Sequence, residues 1–278
     1  MMNELSPVIT LGENLIFIVG CPRSGTTYLR RLISSLPQIQ SGPESHLFDH
    51  VGPFMDLWHG YLATRERDGD SAVGLPLYFT HEEFVDIARK LVSELMKPML
   101  QPLKEGEFFL EKSPTHALHL HTIHELLPKA RIIHILRDPR DVVASLLAVS
   151  KNWSWAPSKS SEAAQVWCDY VNQVKKTAPL LADGTLFELR YESLIDRPTE
   201  SLLAIANFLG MDWSPESIRN AIQTNSIEAT RAKLGKHSVR RGQYNGWKQD
   251  LSWFDKLQVW QVAHSTMATV GYNWNVPW

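Results

Sequence analysis

The chain has little cysteine, almost no net charge and no long apolar run, and each shortage removes a class of protein. Cys21 and Cys168 are the two cysteines in 278 residues, too few and too far apart for a disulfide framework or a zinc quartet, so a reducing compartment is expected. Lys and Arg total 28 against 30 Asp and Glu, a formal charge of −2. That balance argues against bulk attraction to nucleic acid or an anionic membrane; an anionic ligand must be held by a local cluster of cations. The apolar run from Leu15 to Gly20 falls well below the roughly 18 residues of a membrane span, and Met1 to Asn14 carries no basic leader. A soluble, cytoplasmic protein without a membrane span is therefore expected. What is present, 44% apolar and 21% charged residues, is ordinary globular composition, enough to bury a substantial core in one domain.

Leu15-Ile16-Phe17-Ile18-Val19 is apolar at every position and ends at Gly20 and Pro22, which reads as a buried parallel strand followed by a turn. Tyr28, Leu29, Leu32, Ile33 and Leu36 then fall at helical spacing up to Pro37. Further strands are predicted at Phe108 to Glu111, Arg131 to Leu136 and Leu186 to Leu189. Helices are predicted from Pro114 (capped by Ser113), from Pro139, from Ser161 to about Leu181, and from Thr199 to Leu209. The alternation implies a single α/β domain over residues 1–278 with a central parallel sheet flanked by helices. Residues 52 to 80 and 151 to 160 are expected to be loop-rich insertions, the first leading to a helix near Glu82 to Leu100.

Gly20-Cys21-Pro22-Arg23-Ser24-Gly25-Thr26-Thr27 lies between the first strand and its helix. Backbone N–H groups in such a turn, with the positive end of the helix, form a concave anion site, and Ser24, Thr26 and Thr27 add hydroxyl donors. A lysine is missing here: Thr26 stands where a nucleotide-hydrolysing P-loop has its lysine, and the cation is Arg23 instead. Farther along, Arg137 ends a predicted strand and Ser145 lies about two turns into the next helix. An arginine fork and a hydroxyl there suit a second phosphate, unless Arg137 merely pairs with Asp138 or Asp141.

Together these two sites resemble the sulfotransferases that use 3′-phosphoadenosine 5′-phosphosulfate (PAPS). The resemblance implies a P-loop sulfotransferase fold in which Arg23, Ser24, Gly25, Thr26 and Thr27 grip the 5′-phosphosulfate and Arg137 and Ser145 grip the 3′-phosphate. Tyr28 and Tyr191, the latter in Arg190-Tyr191-Glu192-Ser193-Leu194, match the aromatic positions on the adenine side. Arg240-Arg241-Gly242, with Trp247 and Lys248 beyond, resembles the C-terminal clamp on the 3′-phosphate; residues 231–248 hold six cations and no acid.

The implied reaction is in-line sulfuryl transfer to an acceptor hydroxyl, releasing adenosine 3′,5′-bisphosphate (PAP), with Arg23 and Lys112 stabilising charge. An acceptor hydroxyl also needs a base. The aryl and steroid branch of the family has a histidine two residues beyond the active-site lysine, whereas this chain has Pro114. Gly42-Pro43-Glu44-Ser45-His46 instead resembles the glutamate-bearing segment of carbohydrate-type and tyrosyl-type relatives. Glu44 is thus the expected base, with His46 or His116 as substitutes. His116, His119, His121 and His124 do not share one helical face, so no metal is expected. Trp58, Trp153 and Trp155 are read first as packing between loops and core, with the lining of an acceptor pocket as the alternative. The expected partner is a small-molecule or carrier-bound hydroxyl acceptor. Two other readings stay open: a non-catalytic PAPS- or PAP-binding regulatory module, and a nucleotide kinase.

Overall fold

Leu15–Val19 forms the central strand, β1, with all five side chains buried, a pattern that only an interior parallel strand accommodates. Strand alternation divides its side chains between two cores. Leu15, Phe17 and Val19 enter one apolar cluster, while Ile16 and Ile18 enter a second. β2 (Ile39–Ser41), β3 (Phe108–Glu111), β4 (Arg131–Leu136) and β5 (Leu186–Arg190) complete a parallel sheet in the order β2-β3-β1-β4-β5. Phe17 is in register with Glu111, Val19 with His134, and Leu136 with Arg190. The computed structural model describes residues 12–68, 74–226, 229 and 243–273.

The helices are α1 (Thr26–Ile33), α2 (Phe48–Asp68), α3 (His81–Leu100), α4 (Leu120–Leu126), α5 (Pro139–Val149), α6 (Ser160–Thr177), α7 (Tyr191–Asp196), α8 (Pro198–Leu209), α9 (Pro215–Thr224), α10 (Trp247–Asp250) and α11 (Trp253–Thr269). α1, α7, α8 and α9 supply the cluster around Ile16 and Ile18; α2 to α6, α10 and α11 supply the other. Among the described residues no helix is long and apolar enough to cross a membrane.

Three local expectations are corrected. Most of residues 52 to 80 is helix rather than loop, because Phe48, Val51, Met55 and Trp58 make a buried stripe down α2. Gly52 and Pro53 masked that periodicity; Gly52 is required where α2 meets His119, since a Cβ there would lie 2.3 Å from its Nδ1. Ser113 does not cap a helix. Pro114–His119 is a 3₁₀ turn, and Ser113 Oγ donates instead to Glu111 Oε1 at 2.7 Å. β2 was not predicted, since three residues are too few to show a period. The second expected insertion does lack regular structure between α5 and α6.

In this strand order the connection from β3 to β4 passes over β1, so the carboxyl ends of the strands flank a crevice, where parallel α/β sheets bind ligands. Arg23, Glu44, Lys112, Arg137 and Tyr191 follow the carboxyl ends of β1, β2, β3, β4 and β5 in turn.

Candidate active site

The turn after β1 is shaped by two left-handed residues, Arg23 at φ 73° and Gly25 at φ 101°. Alternating backbone hand aims successive N–H groups into one concavity, the nest that receives anions. Gly25 has a second reason to be glycine: a Cβ would lie 2.4 Å from the Tyr191 ring. Ser24 is 1% exposed, and its Oγ has no hydrogen-bond partner among the described residues. A buried hydroxyl without a partner in an anion nest is what a phosphosulfate oxygen would satisfy, so the loop fits the group that the sequence implied.

Arg137, at the end of β4, does not pair with its neighbouring acids. Asp138 takes Arg140 at 2.6 Å, and Asp141 accepts the backbone N–H groups of Asn245 and Trp247 at 2.7 and 3.0 Å. Burial raises the Asp141 carboxyl above the usual range against the lowering influence of Arg137 and those N–H donors. Arg137 donates instead to the carbonyls of Arg23 and Gln243, each at 3.0 Å, and lies 4.3 Å from the centroid of Tyr191. Its buried Nε has no hydrogen-bond partner among the described residues. Arg23 Nε donates to Ser145 Oγ at 3.0 Å, so the two elements expected to bind phosphate touch. Arg240, Arg241 and Gly242, expected to complete the clamp, lie outside the described residues, whereas Gln243 to Trp247 return the chain to Arg137 and Asp141.

Glu111 and Lys112 are adjacent but diverge, as successive residues of an extended chain do. Lys112, 4% exposed, ion-pairs with Glu44 Oε1 and lies 3.4 Å from Thr27 Oγ1. Its burial lowers the amine's pKa below the ordinary lysine value, with Glu44 opposing that shift. Glu111, 1% exposed, organises the segment that carries Glu44. Its Oε1 accepts from the Ser45 N–H at 3.0 Å, Ser45 Oγ at 2.8 Å and Ser113 Oγ at 2.7 Å, while Oε2 faces His116 Nδ1 at 3.1 Å. From the other side Arg30 Nη1 donates to the Gly42 carbonyl at 2.6 Å. Glu44 is thus fixed on a loop pinned at both ends. Sequence reading missed Glu111, Arg30, Asp49 and Thr115; the only signal for Glu111 was an acid ending a buried strand.

A cavity of about 900 Å³ joins these groups. Its lining includes the polar side chains of Arg23, Thr26, Thr27, Glu44, His46 and Lys112 and the apolar ones of Leu146, Trp153, Trp155, Pro157 and Val166. Trp153 and Trp155 stack with centroids 5.6 Å apart, and the Arg23 guanidinium sits 5.5 Å from the Trp153 centroid. These two tryptophans line the pocket, whereas Trp58 packs in the core.

Two site expectations are corrected. His116 is fully buried between Phe17 and Phe48, accepts the Phe48 N–H on Nε2 at 3.2 Å and turns Nδ1 to Glu111, so it is outside the cavity and unsuited to take an acceptor's proton. Tyr28 is 9% exposed and belongs to the apolar cluster with Leu29 and Leu32, rather than presenting an open face to adenine.

Glu111 makes the segment acid-sensitive. Burial alone would raise its pKa, but His116 beside Oε2 and the hydrogen bonds from Ser113 and Ser45 outweigh it and hold the carboxyl at about 2, against 4.5 unperturbed. A lowered folded-state pKa gives stability that is complete above the unfolded value and disappears as pH falls from 4.5 toward about 2. The shift corresponds to about 3 kcal/mol. Denaturant unfolding at several pH values should show wild type losing stability across that window, relative to Glu111→Gln; parallel curves would contradict this role.

Residues 15–215 match the family described as the sulfotransferase family. A Caenorhabditis briggsae protein assigned as a protein-tyrosine sulfotransferase is 27% identical over 254 residues, covering 87% of this chain and 81% of its own. The omega-hydroxy-beta-dihydromenaquinone-9 sulfotransferase Stf3 of Mycobacterium bovis is 27% identical over 247 residues, covering 70% of this chain and 62% of its own. Mouse sulfotransferase SULT7A1, solved with PAP, shares the fold with a TM-score of 0.63 and 15% identity over 97% of this chain and 92% of its own. On its match over more than half its length, the chain belongs to the sulfotransferase family and is an enzyme of that type.

Proposed function

We propose that Glu44 is the base through which this sulfotransferase moves the sulfuryl group of PAPS to the hydroxyl of a small acceptor whose body is apolar. The observation that carries this reading is the placement of Glu44: its carboxylate is held by Lys112 in the same cavity as the Arg23 to Thr27 loop. PAPS supplies the sulfuryl group and leaves as PAP. Arg23 and the N–H nest bind negative oxygens at one end. Lys112 supports the developing charge on the leaving side, while Glu44, which lines the cavity with its Oε2 beside His46, accepts the acceptor's proton.

Trp153, Trp155, Leu146, Pro157 and Val166 supply the apolar wall for the rest of the acceptor, free or attached to a carrier. The related enzymes act on chemically different hydroxyls by name, a peptidyl tyrosine in one and a menaquinone derivative in another. Acceptor choice therefore follows this wall rather than the fold. The free, buried state of Cys21 and Cys168 supports a cytoplasmic setting. Labelled PAPS offered with a panel of phenols, aliphatic alcohols and carrier-bound alcohols tests the reading. PAP release that depends on acceptor supports it; binding of PAPS without release supports the regulatory-module alternative.

A further inference from the structure

His46 has φ 52°, a left-handed conformation uncommon outside glycine and found disproportionately at functional sites. Its backbone N–H is fixed by Ser113 Oγ at 3.1 Å. In this conformation the imidazole bridges two carboxylates: Nε2 is 3.2 Å from Glu44 Oε2, and Nδ1 is 2.8 Å from Asp49 Oδ2. Thr115 Oγ1 donates to the same Asp49 oxygen at 2.8 Å and lies 3.4 Å from Nδ1. The other Asp49 oxygen faces His119 Nε2 at 4.0 Å, and burial keeps that histidine's pKa below its ordinary value despite Asp49. His46, at 2.8 Å, is therefore the nearer of the two imidazoles to Asp49.

A row of groups results, running from Lys112 through Glu44 and His46 to Asp49. Once Glu44 carries a proton, an imidazole whose Nδ1 hydrogen is donated to Asp49 offers its Nε2 lone pair to Glu44 Oε2. Exposure changes along the row: the Lys112 side chain is 4% exposed, Glu44 38% and His46 47%. One end is closed and the other meets solvent.

We infer that His46, oriented by Asp49 and Thr115, receives the proton that Glu44 removes from the acceptor and passes it to water. This rests on Glu44 being the base. The acceptor's O–H bond breaks as its oxygen bonds to sulfur. The bond from sulfur to the leaving phosphate oxygen breaks, and that oxygen keeps the electron pair. The proton goes from Glu44 Oε2 to His46 Nε2 and then to solvent, which returns Glu44 to the carboxylate that ion-pairs with Lys112. His46 acts through Glu44, and Asp49 acts by fixing which imidazole nitrogen carries hydrogen.

His46→Gly is the informative variant, because glycine adopts the same backbone hand and opens the volume of an imidazole. Its kcat should fall about ten- to a hundredfold, with PAP affinity and the KM for PAPS unchanged. Added imidazole should restore kcat saturably. Asp49→Asn should lower kcat without being rescued, since the ring is present but its hydrogen is no longer directed to Nδ1. A His46→Gly enzyme within about twofold of wild type, or a loss that imidazole does not relieve, overturns the relay. Glu44→Gln separates the two readings: full activity there removes the base assignment, whereas an inactive Glu44→Gln beside a fully active His46→Gly removes the relay alone.

Discussion

Glu44→Gln is expected to lower turnover by about 10²- to 10⁴-fold, the range for losing a positioned general base, while PAP binding is unchanged. The substitution preserves shape, and an amide oxygen still accepts from Lys112. What it removes is the capacity to accept a proton at the Oε2 position facing His46. The donor loop contributes its own contacts: Arg23 bonds Ser145, and Arg137 bonds the Arg23 carbonyl. Donor affinity should therefore be insensitive to the change at Glu44. A single-turnover rate measured after mixing saturating PAPS and acceptor, with PAP affinity from calorimetry, checks both halves. Undiminished rate would remove Glu44 from the chemistry. Equal loss of rate and affinity would make it a structural support for the loop.

Arg137→Ala is expected to weaken PAP by about ten- to a hundredfold, since a hydrogen bond to a charged group contributes about 1.5–3 kcal/mol. The guanidinium joins three elements, the Arg23 carbonyl, the Gln243 carbonyl and the Tyr191 ring, while its Nε has no partner among the described residues. Lysine at this position should not restore binding, because one ammonium cannot reproduce a fork that serves two separate carbonyls. The role assigned to Arg137 is specific to the 3′-phosphate. Adenosine 5′-phosphosulfate, which lacks that phosphate, should lose much less affinity than PAPS on the same substitution. Equal losses would show that Arg137 only supports the loop.

Much of this arrangement was legible from residue order. Leu15 to Val19 reads as a buried parallel strand, apolar at every position and ended by Gly20 and Pro22, and Gly20 to Thr27 reads as an anion nest because glycine, hydroxyls and arginine follow it directly. Arg137 and Ser145 were readable for a similar reason: a strand end and a position about two turns into the next helix fix their separation. The pairing of Glu44 with Lys112 was not readable, since it joins the ends of β2 and β3 across 68 residues of sequence. Nor was the role of Glu111, which adjoins Lys112 in sequence but is turned away from it by chain alternation, toward Ser45, Ser113 and His116. His116 misled for the converse reason: its place two residues beyond Pro114 says nothing about the Phe17 and Phe48 rings that bury it. The stripe of Phe48, Val51, Met55 and Trp58 was present in the sequence, yet Gly52 and Pro53 argued locally against a helix and only packing against the core overrode them.

The most direct test of the central claim is stoichiometric. Wild-type enzyme with labelled PAPS and an acceptor alcohol is followed for PAP by chromatography and for the sulfate ester by mass spectrometry in the same reaction. One ester for each PAP, with both absent when acceptor is omitted and both lost in Glu44→Gln, is the predicted result. PAPS that binds tightly yet yields neither product across phenolic, aliphatic and carrier-bound alcohols, or PAP that accumulates at the same rate without acceptor, would contradict it.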